Sequence, residues 1–237
     1  MVCNSGVRMT PRVDDRVHWF QEQGLYDGLF LMKDDESGTF WDHMTGEAVY
    51  GPLTGQRLEV ANIFQTSVAQ AMDENPEARV ALSDRILWEE ERLTLGGLVS
   101  SMGNRLSRMF QSTVEAEDDR RPTMDLGMGL WEGETSRYYP YETVVEAGNA
   151  VSDTFAGRRV IVFLDPAAYS LSAFYVDSGS FEWEGEILRL GDGSYVANGV
   201  LHGPEGDPLD ASRPLQIFTR WYGFSLTFPG TEIFGER

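Results

Sequence analysis

Ser180-Phe181-Glu182-Trp183-Glu184-Gly185-Glu186-Ile187-Leu188-Arg189-Leu190-Gly191-Asp192-Gly193-Ser194-Tyr195-Val196-Ala197 divides into three short runs of strand character separated by glycines. Apolar and charged residues alternate in runs too short for helices, and a period of two places one set of side chains on a buried face. Gly191-Asp192-Gly193 is hairpin chemistry, because a tight reversal needs residues that accept positive φ. Upstream, residues 159–163 and 173–176 are further short apolar runs separated by Gly, Asp and Ser. Too few helices alternate with these strands for a doubly wound parallel sheet, so the class expected is α+β and mainly β.

The same signals extend toward the N-terminus. Leu126-Gly127-Met128-Gly129-Leu130-Trp131 is strand-like and Glu132-Gly133-Glu134 is a turn. A helix then opens at Pro140 and closes at Gly148, the usual asymmetry of helix ends. Strands are expected around residues 16–20 and 29–32, with a turn at Glu22-Gln23-Gly24 between them and a polar turn at Asp34-Asp35-Glu36-Ser37-Gly38 before Thr39-Phe40-Trp41. Thr66 is the expected cap of a helix running toward Asn75, limited by Pro76. Between residues 84 and 110, Leu98, Val99, Met102, Leu106, Met109 and Phe110 recur at helical spacing and predict a core-packing helix, followed by an acidic linker at Glu115-Ala116-Glu117-Asp118-Asp119.

Fixed-offset similarities run along the chain. Thr66 with Pro76 recurs as Thr219 with Pro229 at an offset of 153, and Gly51-Pro52 recurs as Gly203-Pro204 at an offset of 152. Each Gly-Pro pair is followed by a second glycine, Gly55 and Gly206, and a leucine, Leu58 and Leu209. These predict two tandem related repeats: residues 1–83 as a first repeat lacking its N-terminal part, 84–124 as a helical insertion and acidic linker, and 125–237 as a second, complete repeat. Residues 126–163 have no counterpart in the first copy, whose start is therefore expected to lie before Met1.

Met1-Val2-Cys3-Asn4-Ser5-Gly6, Ser37-Gly38-Thr39-Phe40-Trp41, Thr45-Gly46-Glu47-Ala48 and Gly51-Pro52-Leu53-x-Gly55 resemble the family called domain of unknown function 3179. Tyr138-Tyr139-Pro140 and Asn149-x-x-x-Asp153-x-x-x-Gly157-Arg158 extend the resemblance to the second copy. The resemblance implies a Cys-x-x-Cys stretch after a buried strand, with Cys3 as its second cysteine and its partner immediately before Met1. Some members are described as selenoproteins, so a selenocysteine codon read as stop would account for the start. A mis-set start or a decayed gene accounts for it equally.

The chain carries 38 acidic residues against 18 arginines and the single lysine Lys33, a net charge of −19. Binding to a nucleic-acid backbone requires clustered positive charge, so nucleic acid is not an expected partner. Acidity with arginine in place of lysine fits either adaptation to high salt, where repulsion between carboxylates is screened, or an ordinary acidic protein with an arginine bias. No apolar run is long enough for a transmembrane segment, and no secretory signal is visible. The protein is expected to be soluble as written, or exported if a signal preceded Met1.

Cys3, the only cysteine, is the expected catalytic residue, since a thiolate paired with a second thiol or selenol performs reversible disulfide chemistry. Ser5, Trp41, His43 and Glu47 are the expected binding residues. His43 beside carboxylates can serve as acid or base, although the family often carries a glutamine-like residue near that position. The alternative function is non-catalytic ligand binding or interaction through an aromatic cleft between the repeats, lined by Trp41, Trp131, Tyr138, Tyr139, Trp221 and Tyr222, with core packing the default for most of these rings. His18 and His202 lack ligand spacing, so no metal is expected, and no cofactor motif is present: Gly127-x-Gly129 lacks the third glycine of a dinucleotide loop. The expected partner is a small molecule or a protein thiol.

Overall fold

The computed structural model describes residues 6–63, 65–79, 113, 118–209 and 213–236. They form β1 (Arg8–Met9), β2 (Arg12–Val13), β3 (Arg16–Val17), β4 (Phe20–Tyr26), β5 (Leu29–Asp34), β6 (Phe40–Asp42), β7 (Ala48–Tyr50), β8 (Val60–Ala61) and α1 (Val68–Glu74). After these come β9 (Leu126–Glu132), β10 (Thr135–Pro140), α2 (Tyr141–Glu146), β11 (Ala150–Phe155), β12 (Arg158–Asp165) and β13 (Ser170–Tyr175). The described chain closes with β14 (Phe181–Glu184), β15 (Ile187–Leu190), β16 (Tyr195–Ala197), β17 (Val200–His202), β18 (Leu215–Arg220), α3 (Trp221–Thr227) and β19 (Glu232–Ile233). The class is α+β and mainly β. Among the described residues no helix is long and apolar enough to cross a membrane.

The layers are set by β12. Val160, Ile161, Val162 and Phe163 are all buried, and their alternation sends Val160 and Val162 to one face and Ile161 and Phe163 to the other. The first face packs on Met128, Leu130, Tyr139, Val144 and Phe218, from the sheet ordered β18-β9-β10-β19 and from α2. The second packs on Leu188, Leu190, Val196 and Leu201 of the antiparallel meander β14-β15-β16-β17. The β11-β12-β13 sheet is thus the middle layer, which is why Val160 to Leu164 of its central strand are continuously apolar rather than alternating. Each of these large side chains contributes roughly 1.5–3 kcal/mol by leaving water.

Gly127 and Gly129 make room in the outer sheet. A Cβ at Gly129 would lie 2.1 Å from Phe224 Cε2 of α3, and one at Gly127 would lie 2.6 Å from the Tyr138 Cζ. Their spacing serves side-chain packing. Trp131, Tyr138, Ile217, Trp221 and Phe224 form one core cluster, into which Met44, Val7 and Val60 also pack, so the N-terminal part of the chain shares a core with the C-terminal part.

A second antiparallel meander, β4-β5-β6-β7, occupies the N-terminal part. Its inner face, with Trp41, Ala48, Phe20 and Met32, is covered by Met9 and Val13 together with Leu53 and Leu58. β1 pairs with β8, and β2 pairs with β3. Each meander ends at a Gly-Pro turn and a bridge, Glu47 with Arg57 and His202 with Pro208. Each is followed by a short strand and a seven-residue helix.

Two local expectations need correction. Glu22-Gln23-Gly24 is not a turn but lies inside β4, whose register shifts between Glu22 and Leu25 as a bulge. The reversal falls at Asp27-Gly28, both at positive φ (48° and 72°), the backbone that a two-residue hairpin demands. The helix after Thr66 begins one residue later than expected: Ser67 accepts from the Gln70 amide at 3.2 Å, whereas the Thr66 hydroxyl bonds to the Gln70 side chain. The helical stripe of residues 84–110 and most of the acidic linker lie outside the described residues.

Candidate functional site

Cys3 and Ser5 lie outside the described residues. Val7, four positions after Cys3, is packed against the Met44, Trp131 and Ile217 cluster. Trp41 is fully buried in β6. Its indole Nε1 donates to Asp34 Oδ2 at 2.8 Å and its ring meets Phe20 edge-on at 5.8 Å. His43 follows β6 and is buried, with its ring edge-on to Phe30 at 5.6 Å. The turn that carries it is fixed by Asp42, whose Oδ1 accepts from the amides of Met44 (2.9 Å) and Thr45 (2.7 Å). Glu47 is at the surface, paired with Arg57 at 2.8 Å. The fold therefore gives Trp41, His43 and Glu47 separate structural partners.

The remaining rings of the expected cleft are interior. Trp131, Tyr138 and Trp221 share one core cluster, Tyr139 belongs to another, and Tyr222 is buried. Tyr138 donates to the carbonyl oxygens of Asp125 and Thr219, and Tyr139 donates to Asp153 Oδ2 at 2.8 Å. Burial pushes both phenols well above their ordinary range, so they remain donors. Asp153 also accepts from Arg137, which reaches Glu232 of β19. The Tyr-Tyr-Pro and Asp153 motifs are hence explained by the staple between the outer and middle sheets.

Two clusters escaped the sequence reading. In the first, His18 Nδ1, just beyond β3, stands 3.3 Å from Asp34 Oδ1 and 3.8 Å from Glu36 Oε2. Asp34 is fully buried at the end of β5 and accepts from the Ser37 amide (2.6 Å), the Ser37 hydroxyl (2.7 Å) and Trp41. Burial opposes ionisation, but the bonds from Trp41, Ser37 and His18 outweigh it and lower the pKa to about 2. Glu36 Oε2 accepts from the Trp19 amide at 3.0 Å. His18 looked isolated because its partners come from a strand 16 residues away, a pairing that β-register creates and local spacing does not show.

The second is a cleft of about 770 Å³ at the edge of the interface between the middle sheet and β14–β17, lined by Arg158, Arg159, Tyr175, Asp177, Asp192 and Ser194, with Leu201, Pro204 and Leu209 behind them. The Arg158 guanidinium lies 3.6 Å above the Tyr175 ring, and the Tyr175 hydroxyl donates to Glu132 at 2.5 Å. Burial and the Glu132 contact raise the Tyr175 phenol above its ordinary range. Arg159 bonds the Asp177 carbonyl, and Asp192 accepts from the Ser194 amide and hydroxyl. Two planar cations, two carboxylates and an aromatic ring thus border one opening. Adjacent arginines at residues 158 and 159 were the one available sequence signal.

No curated protein and no solved structure matches this chain. The family model described as Protein of unknown function (DUF3179) matches residues 1–188, which include Arg158 and Arg159, the His18, Asp34 and Glu36 cluster, and Cys3. Covering most of the 237 residues, this match shows that the chain belongs to the DUF3179 family.

Proposed function

We propose that this DUF3179 member is a binding protein for a small organic acid that also carries amino or hydroxyl donors, seated in the Arg158 and Arg159 cleft. The observation that carries the reading is an opening of about 770 Å³ whose lining includes both Arg158 and Arg159, in a chain of net charge −19. Arginine presents a rigid fork that matches a carboxylate, and stacking on Tyr175 fixes the Arg158 plane before a ligand arrives. Asp177 and Asp192 supply acceptors for the donor groups of the same ligand. The test is calorimetric titration with amino acids, hydroxy acids and dicarboxylates at constant salt. The reading expects one compound to bind at a single site and Arg159→Ala to weaken it at least tenfold while Cys3→Ser leaves it unchanged; equal binding by Arg159→Ala removes the site.

A second reading is thiol or selenol redox chemistry at Cys3, which lies within the residues that the DUF3179 model matches. The Cys3 thiolate attacks a partner protein's disulfide, forms a mixed disulfide and releases the other sulfur as a thiolate; a second thiol then displaces Cys3. A Cys3→Ser variant that still exchanges disulfides at the wild-type rate excludes it. Under either reading we take residues 1–83 and 125–237 as two related units joined through 84–124.

A further inference from the structure

We infer that His18, Asp34 and Glu36 form a binding site for a divalent first-row cation, Zn²⁺ in the first instance. The site is separate from the Arg158 and Arg159 cleft and independent of the function assigned there.

The geometry is that of a preformed three-ligand set. Tetrahedral Zn²⁺ holds N and O ligands at about 2.0–2.2 Å, which puts neighbouring ligand atoms about 3.4 Å apart. His18 Nδ1 lies 3.3 Å from Asp34 Oδ1 and 3.8 Å from Glu36 Oε2, and all three atoms fall within 4.8 Å of one another. Two carboxylates balance the ion's charge, and one imidazole with two carboxylate oxygens is a donor set suited to Zn²⁺. Glu36 reaches solvent while His18 and Asp34 are interior, so an ion enters from the Glu36 side and keeps water there.

The ligands are also held from behind. Trp41 Nε1 and the Ser37 hydroxyl occupy Asp34 Oδ2, and Ser37 N–H takes one lone pair of Oδ1. Oδ1 also faces His18 Nδ1 at 3.3 Å, a place where a proton on Nδ1 or a cation can bridge the two atoms. The Trp19 amide fixes Glu36 Oε2. Outer contacts of this kind orient metal ligands. An independent observation is the register: Asp34 stands opposite Phe20 in β4–β5, as Leu190 stands opposite Phe181 in β14–β15. Packing alone calls for a leucine at that place, and a buried carboxylate is costly unless something is gained from its charge.

The test uses the full chain carrying Cys3→Ser, stripped with EDTA and titrated with Zn²⁺ by calorimetry and with Co²⁺ by visible absorption. One equivalent of Zn²⁺ is expected to bind at micromolar or tighter concentration, with a low-coordinate Co²⁺ spectrum and a shift of the His18 imidazole nitrogens in ¹⁵N NMR. Glu36→Gln, which keeps a side-chain oxygen for the Trp19 amide and leaves the buried pair alone, is expected to weaken binding at least tenfold without lowering the melting temperature of the metal-free protein. Three outcomes overturn the inference: no binding at millimolar Zn²⁺, which leaves a hydrogen-bonded His18–Asp34 pair; several weak equivalents indifferent to Glu36→Gln, which assigns the ions to the acidic surface; or binding that leaves the His18 nitrogens unmoved.

Discussion

The meanders β4–β7 and β14–β17 share strand order, pairing direction and even their outer decoration, yet they are closed in different ways. The C-terminal one lays Leu188, Leu190, Val196 and Leu201 against a complete three-stranded sheet. The N-terminal one is covered, among the described residues, by Met9, Val13, Leu53 and Leu58, and the place of Leu190 is taken by Asp34 with its ring of donors. One scaffold is therefore held by apolar area and the other partly by a polar hub. Non-directional burial tolerates many residues, whereas a hub of directed bonds is unique in its demands.

The largest effect is expected where that difference is inverted. Leu190→Asp places a carboxylate in an apolar cluster with none of the donors that surround Asp34, and is expected to cost about 4 kcal/mol or leave the protein unfolded. Urea denaturation measures it. A loss below about 1 kcal/mol would mean that the C-terminal interface is open enough to hydrate the position, and the contrast between the two closures would fail.

The reverse exchange, Asp34→Leu, restores the apolar residue but orphans Trp41 Nε1 and the Ser37 amide, for an expected loss of about 3 kcal/mol at pH 7. It also has a pH signature. The folded pKa of Asp34 is depressed from 3.8 to about 2, so its contribution is fully present above about pH 4 and fades as pH falls from 3.8 through about 2. Denaturation at pH 7, 4.5, 3 and 2 is expected to show the variant and the wild type converging at the acid end. Parallel curves throughout would show that Asp34 acts through its shape alone.

Much of the strand arrangement was legible because it rests on local chemistry: Gly191-Asp192-Gly193 and Glu132-Gly133-Glu134 reverse the chain where their residue types require it. Asp27-Gly28 is an equally strong hairpin signal in the sequence, whereas Gly24 serves a bulge. The sites were scarcely legible. His18 meets Asp34 only through the strand packing, and the cleft gathers Arg158 and Arg159 from β12 with Asp192 and Ser194 from the loop after β15. Trp41 is expected among the binding residues because an aromatic ring combines contact area with a polar edge; its indole donates to the buried carboxylate of Asp34.

The smallest expected effect concerns what the meanders have in common. On the outer face, Lys33 Nζ lies 5.7 Å from the Phe40 ring, which neighbours Tyr50 at 6.1 Å; Arg189 lies 5.6 Å from the Tyr195 ring, which stacks on His202 at 4.9 Å. Both ladders cross equivalent strand pairs, Lys33 opposite Phe40 and Arg189 opposite Tyr195. Cation–π contacts at such exposed sites are worth about 0.5–1 kcal/mol. Lys33→Met and Arg189→Met are each expected to cost about 0.5 kcal/mol in thermal denaturation, and the double variant to cost their sum, since the ladders share no partner. A Lys33→Met loss several times larger, with Arg189→Met neutral, would mean that the N-terminal meander leans on its outer face for stability, and the two closures would then differ on both sides of the sheet.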